Sequence, residues 1–275
     1  MKTSQIKASR NVVYVSHGGG PMPLLGDPEH QEMVTTLKTI AKQVGKPSAI
    51  LVISAHWEAR LATVTSGSSP GINYDYGGFP TEAYDIQYPC LGEPELAQKV
   101  MDAIKRNGID VIDDKYRRFD HGVFVPLKIM YPEADIPCVQ LSLVQTLEPE
   151  LHIKIGQALQ DLDWSNLLVI GSGFSFHNMR AFFTPDVQEI RAKNLEFDDW
   201  LKATMSDTSL SETMRKQRLI DWESAPSARF CHPREEHLIP LHVCYGMAGK
   251  ASDNVYQIEV MRKQASMFSW AVSND

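Results

Sequence analysis

Residues 11–20 read NVVYVSHGGG. A run of apolar and β-branched residues ends abruptly in a histidine and three glycines. Such a continuous run is the pattern of a strand buried on both faces, as in a parallel sheet. The pattern returns twice: residues 48–54 (SAILVIS) lead into His56 within SAHWE, and residues 166–171 (NLLVIG) run through GSGFSFHN to His177. Further strands are expected at residues 62–65 and 136–143, with shorter ones at 110–112 and 255–260. Between them lie helical stripes. Residues 30–44 place Met33, Val34, Leu37, Ile40, Ala41 and Val44 on one face, and residues 94–107 repeat the period with Leu96, Ala97, Val100, Met101 and Ile104. Residues 149–162 and 187–205 read similarly. A last helix is expected to open at Pro233 and run to about Val243, with Pro240 as its break or kink. Strands alternating with amphipathic helices predict an α/β fold. Its central sheet would be mostly parallel or mixed and flanked by helices, with the active site at the C-terminal ends of the strands.

A chain of 275 residues fits one domain, here expected to be a single catalytic unit over 1–275 with a core of about 11–267. The net charge of −7, from 34 acidic and 27 basic residues, argues against binding nucleic acid, which needs a basic face. The four cysteines, Cys90, Cys138, Cys231 and Cys244, form no CxxC pair. Thiolate zinc sites, dithiol redox motifs and disulfide scaffolds are therefore not supported. The N-terminal segment lacks the apolar run of a leader, and no stretch approaches the roughly 20 residues of a membrane span. These features predict a soluble cytoplasmic protein with reduced thiols.

Three strands thus deliver His17, His56 and His177 to one edge of the sheet. Imidazole is the commonest protein ligand for zinc and iron-type ions. Gly18, Gly19 and Gly20, and likewise Gly171 and Gly173, are expected to let backbone approach a ligand closely. A phosphate cradle is disfavoured because neither GxxxxGK[ST] nor a post-strand GxGxxG is present. His121, in FDHG, and His237, in HPREEHLIPL, sit in polar motifs; Glu235 and Glu236 suit the start of a helix there. His30 and His152 are expected to be solvated, and His232 and His242 are open. The HGGG segment resembles an oxyanion loop, but the required GxSxG is missing, since Gly173-Phe174-Ser175-Phe176-His177 lacks its second glycine. No HExxH motif is present. A mononuclear metal site remains, with spare histidines for proton transfer. The pattern alone leaves open whether the metal is iron(II), which activates O₂, or zinc, which activates water.

The segments SHGGGP, ILVISAHWE, YGGFPTEAYDIQYP, FDHG, IPCVQLSL, GSGFSFHN and HPREEHLIPL resemble, in this order, class III extradiol ring-cleavage dioxygenases. The closest subgroup is that of the DOPA 4,5-dioxygenase-like proteins, and the resemblance covers residues 12–267. It implies one non-haem metal, Fe(II) for activity, with Zn(II) as another metal the site can hold. It implies His17, His56 and His237 as ligands, His177 as acid/base, and His121 as a residue lining the substrate site. Many class III relatives use glutamate as the third ligand, and Glu236 stands next to His237. The implied partners are a small aromatic diol and O₂. The loop over residues 74–89, with four tyrosines and one phenylalanine, offers an aromatic wall. Two other readings stand beside this one: a zinc-dependent hydrolase on the same scaffold, and a non-catalytic metal- or ligand-binding relative. The substrate-binding residues, the catechol, the cleavage position and the oligomeric state are left open.

Overall fold

A computed structural model describes residues 9–185 and 187–273. The N-terminal segment read above lies largely outside the described residues, as do both ends of the expected 1–275 unit. The strands are β1 (Ser9–Ser16), β2 (Ala49–Ala59), β3 (Ala62–Thr65), β4 (Val111–Asp114), β5 (Cys138–Val144), β6 (Leu167–Gly173), β7 (Asn254–Val260) and β8 (Lys263–Ser273). The helices are α1 (Gln31–Val44), α2 (Pro94–Arg106), α3 (His121–Met130), α4 (Pro149–Ala158), α5 (Met179–Phe182), α6 (Gln188–Ser206), α7 (Glu212–Ile220), α8 (Ala228–Cys231) and α9 (Ile239–Ala248). The strands form one eight-stranded sheet in the order β4-β3-β5-β2-β6-β1-β8-β7. Its centre, β5-β2-β6-β1, is parallel, while β8 pairs antiparallel with both β1 and β7. The predicted α/β fold with a mixed sheet is the observed one.

Burial explains the order. β5 and β6 are buried at every residue, as continuous apolar strands require when helices cover both faces. The central parallel strands therefore end together on one edge, and the functional side chains are delivered there.

Several elements depart from the sequence expectation. The expected helix at Pro233 begins at Ile239 instead, and Pro240 sits in its first turn, where its missing N–H costs nothing. Helix α3 follows no amphipathic stripe, because nine of its ten residues, from His121 to Met130, are buried. Strand β8 continues the sheet beyond the expected core. His30 and His152, expected in solvent, are each at most 1% exposed. His152 accepts from Val144 N–H at 3.0 Å and donates to the Glu148 carbonyl at 2.8 Å, so it fastens β5 to α4.

Three interior histidines, His152, His232 and His242, carry a pH cost. Burial pushes His152 down to about 4 and His232 down to about 3, and it also lowers His242. A histidine depressed in the folded state stays neutral there while the unfolded chain takes up protons below about 6.5. Stability therefore falls as pH drops from 6.5 toward the folded values, by about 1.4 kcal/mol per histidine per pH unit. The urea midpoint should be clearly lower at pH 5 than at pH 7; equal midpoints would contradict this assignment.

Candidate active site

The edge holds a cavity of about 810 Å³ whose floor is made by His17, His56, His121, His177, Glu236 and His237. All five histidines singled out from the sequence meet there.

His17 follows the last residue of β1 and is buried. The glycines after it turn the chain sharply. Gly18 has φ +77°, and a Cβ on it would lie 2.7 Å from His30 and from Pro23. His30 is folded underneath this loop, accepting from Gly19 N–H at 2.9 Å and contacting Asp27 at 2.5 Å. Gly18 therefore serves an internal turn that packs on His30.

His56 does not stand past the end of β2, as expected, but within it. Ile53 pairs with Leu141 and Glu58 with Leu143, so β2 spends five steps where β5 spends two. This bulge re-aims a side chain that a regular strand would direct elsewhere. A buried polar hub holds the bulge. Asp120 accepts from Ser54 Oγ at 2.6 Å, Gln140 Nε2 at 2.5 Å and Arg117 Nη2 at 3.1 Å. Arg117 also donates to the His56 carbonyl at 3.2 Å, and Ser54 Oγ accepts from His56 N–H at 3.1 Å. Asp120→Ala should destabilise the protein by about 3–5 kcal/mol, because it leaves buried charge and amide groups uncompensated. Urea unfolding measures this, and a loss below about 1 kcal/mol would show that the hub is not what holds the bulge.

His237 comes from the turn before α9, and its position is set through its backbone. The His237 carbonyl accepts from Tyr14 Oη at 2.8 Å and from Phe174 N–H at 3.1 Å. Gly171 and Gly173, expected to face a ligand, instead make room for this segment. A Cβ on Gly173 would lie 2.1 Å from the His237 carbonyl oxygen, and one on Gly171 would lie 2.7 Å from that of Pro240.

The protonation pattern follows from the partners. Ser172 donates its hydroxyl proton to the Gly122 carbonyl at 2.5 Å, so toward His17 it acts only as acceptor. His17 Nδ1, 3.0 Å away, therefore carries the hydrogen and Nε2 is bare. One Glu236 oxygen accepts from Nδ1 of His237 and from Nδ1 of His177, each at 3.0 Å. Those two rings stack at 3.4 Å between centroids. Asp75 Oδ2 stands 3.8 Å from His56 Nδ1, and Asp75 Oδ1 takes both the ring and the backbone N–H of His121, at 3.0 and 2.9 Å. Burial, then the neighbouring imidazoles, hold His17 and His237 well below the usual histidine range. Burial and His121 bring His56 down to about 3. Burial alone would raise the carboxyls of Asp75 and Glu236, but bonds to His121 and His177 outweigh it and both lie below the usual range.

The result is three neutral imidazoles with ligand atoms from His17, His56 and His237 within 4.8 Å of one another, and His17 Nε2 is 3.0 Å from His56 Nε2. Such a set can hold a metal ion, and the outward Nδ1 bonds are those that orient ligating histidines. The ligand atoms of two overlapping groups, His56-Asp75-His121 and His177-Glu236-His237, also lie within 4.8 Å of one another. In both, the carboxylate is already taken by an imidazole N–H. Asp75, Asp120 and Ser172 were missed from sequence, since none stands in a motif of its own; only the FDHG context hinted at Asp120.

Residues 12–272 match the family described as the catalytic LigB subunit of aromatic ring-opening dioxygenase. The chain belongs to the LigB family. It is 38% identical over 257 residues to dioxygenase tasH of Hapsidospora irregularis, covering 86% of this chain and 78% of that protein. It is 37% identical over 247 residues to a 4,5-DOPA dioxygenase extradiol of Beta vulgaris, covering 88% of each. A crystal structure of an uncharacterized protein from Escherichia coli K12 superposes with a TM-score of 0.75 at 25% identity, covering 96% of this chain and 99% of that one. This LigB-family chain is accordingly a non-haem extradiol ring-opening dioxygenase, acting on an aromatic compound with O₂. Among the described residues, no helix is long and apolar enough to cross a membrane.

Proposed function

We propose that the enzyme uses Fe(II), held by His17, His56 and His237, to open the ring of a catechol. The observation that carries this reading is the set of three neutral imidazoles turned inward, at least two with Nδ1 hydrogen-bonded outward. All-imidazole ligation with room left in the cavity suits a metal that binds its reactants directly. Held by these residues, Fe(II) would supply the redox chemistry that lets the diol reduce O₂. Zn(II) fits the same donors but does not supply that redox chemistry.

The protein's own groups then carry the protons. His177 takes a proton from a catechol hydroxyl at the ring nitrogen left free by Glu236 and later returns it. Glu236 accepts from Nδ1 and so stabilises the imidazolium formed in between. His121, fixed by Asp75, faces the cavity and stabilises negative charge developing on oxygen. Tyr76 and Phe79 wall the ring, and Tyr76 packs 5.8 Å from His121. The relatives named as DOPA dioxygenases favour a catechol with a side chain. The four cysteines are all free and buried, in keeping with a cytoplasmic enzyme. The acidic net charge speaks against affinity for nucleic acid.

Metal replacement tests the proposal. Protein stripped of metal and reloaded anaerobically with Fe(II) should open a catechol, whereas the Zn(II) form should not. Hydrolysis by the Zn(II) form, with an inert Fe(II) form, would favour the hydrolase reading instead.

A further inference from the structure

We propose that Arg234 is a positioning residue for this site: anchored by Glu58, it sets the plane of the Glu236 carboxylate that His237 and His177 share. This rests on the ligand and acid/base roles proposed above. Glu58 closes the SAHWE segment and Arg234 stands in HPREEHLIPL, so the pair joins the two stretches of chain that carry His56 and His237.

The anchor comes first. Arg234 Nη1 and Nη2 donate to the two oxygens of Glu58 at 2.6 and 2.5 Å, between residues 176 positions apart. A bidentate fork of this kind fixes the orientation of the guanidinium as well as its distance. Glu58 lies in β2 on the far side of the bulge that aims His56, at the point where pairing with β5 resumes. Arg234 is thereby tied to the strand that delivers a ligand.

From that anchor Arg234 reaches Glu236. Its Nη1 stands 3.5 Å from Glu236 Oε2. That oxygen is buried, and among the described residues nothing donates a hydrogen bond to it. The other oxygen, Oε1, takes the Nδ1 hydrogens of His237 and His177. The terminal torsion of a glutamate is broad, so two bonds to one oxygen hold that oxygen without fixing the carboxylate plane. A positive charge held beside the second oxygen does fix it. The next acid in the motif is engaged elsewhere: Glu235 accepts from Arg229 Nη1 at 2.6 Å, and Arg229 also binds Glu223 at 2.5 Å. Two adjacent glutamates thus serve different arginines, one at the surface and one at the site. Stability does not account for the Arg234 pair, because Arg234 is half exposed and exposed ion pairs contribute little.

The test reads metal affinity first, with Zn(II) and a competing chelator, so that no turnover is needed. Arg234→Met keeps the aliphatic stem and removes the fork. It should lower Zn(II) affinity by about three- to tenfold, less than the 10–100-fold typical of losing a direct outer partner. On the Fe(II)-loaded chain it should lower kcat for a catechol by about tenfold and change KM by less than about twofold, the mark of an interaction that matters in the transition state. Arg234→Lys should fall between parent and Arg234→Met, since an ammonium restores the charge but not the fork. Glu58→Gln should weaken Zn(II) binding in the same direction, and the double variant should bind no more weakly than Arg234→Met alone, because the two residues act as one unit. Urea midpoints should stay close to that of the parent. Parent-like Zn(II) affinity in Arg234→Met, additive losses in the double variant, or an affinity loss that merely follows a lowered urea midpoint would overturn the proposal. Absence of O₂ uptake by the Fe(II)-loaded parent with any catechol counts against ring opening itself, whereas the Zn(II) competition decides the role of Arg234 on its own.

Discussion

His177→Ala should keep the metal and lose turnover by about a hundred- to ten-thousand-fold, the range for removing a positioned acid/base. The ring of His177 stacks on His237, and its Nδ1 shares one Glu236 oxygen with that residue. It lies outside the group formed by His17, His56 and His237. Removing it leaves those nitrogens in place and leaves Glu236 its bond to His237, so binding should survive while proton transfer stops. Metal content by elemental analysis, beside single-turnover kinetics with a catechol, separates the two effects. If the variant also loses its metal, His177 is a ligand and its assignment as a free acid/base is wrong.

The second large effect is on affinity. His17→Ala should lower metal affinity by well over about a hundredfold, because it removes a donor from a set of three, beyond the 10–100-fold typical of losing an outer partner. Ser172→Ala provides the graded comparison. It removes the acceptor for His17 Nδ1–H, together with the bond to the Gly122 carbonyl, and leaves the three donors in place, so it should cost about 10–100-fold. Competition with a chelator gives both affinities, and far-UV circular dichroism checks the fold. Wild-type affinity in His17→Ala would exclude it from the site.

How legible these features were in the sequence depends on the physics behind each. The central strands and helices α1 and α2 could be read because continuous burial and 3.6-residue stripes leave direct marks. Helices α3 and α9 left none, being buried on nearly all sides, so their residues show no polar face. Strand β8 was missed because the turn before it uses Met261 and Arg262 in place of Asn-Gly. For the site, five histidines could be gathered from motifs that each stand beside a strand or a turn. Their supports could not. Asp75 and His121 are 46 residues apart, and Asp120 and Gln140 are 20 residues apart. The bulge that aims His56 depends on a register with β5 that only pairing reveals. Two of the glycines were singled out for the wrong reason: Gly171 and Gly173 admit the backbone of the segment from His237 to Pro240, whereas Gly18, Gly19 and Gly20 do line the cavity.

Ring opening by O₂ at the histidine cluster can be followed directly. Its most direct measurement follows O₂ uptake and ultraviolet-visible absorbance together, after anaerobic loading of the intact chain with Fe(II) and addition of a catechol. One O₂ should disappear per catechol consumed, in step with a yellow semialdehyde product. Catechol loss without O₂ uptake, or no reaction of any catechol with iron bound, would contradict it.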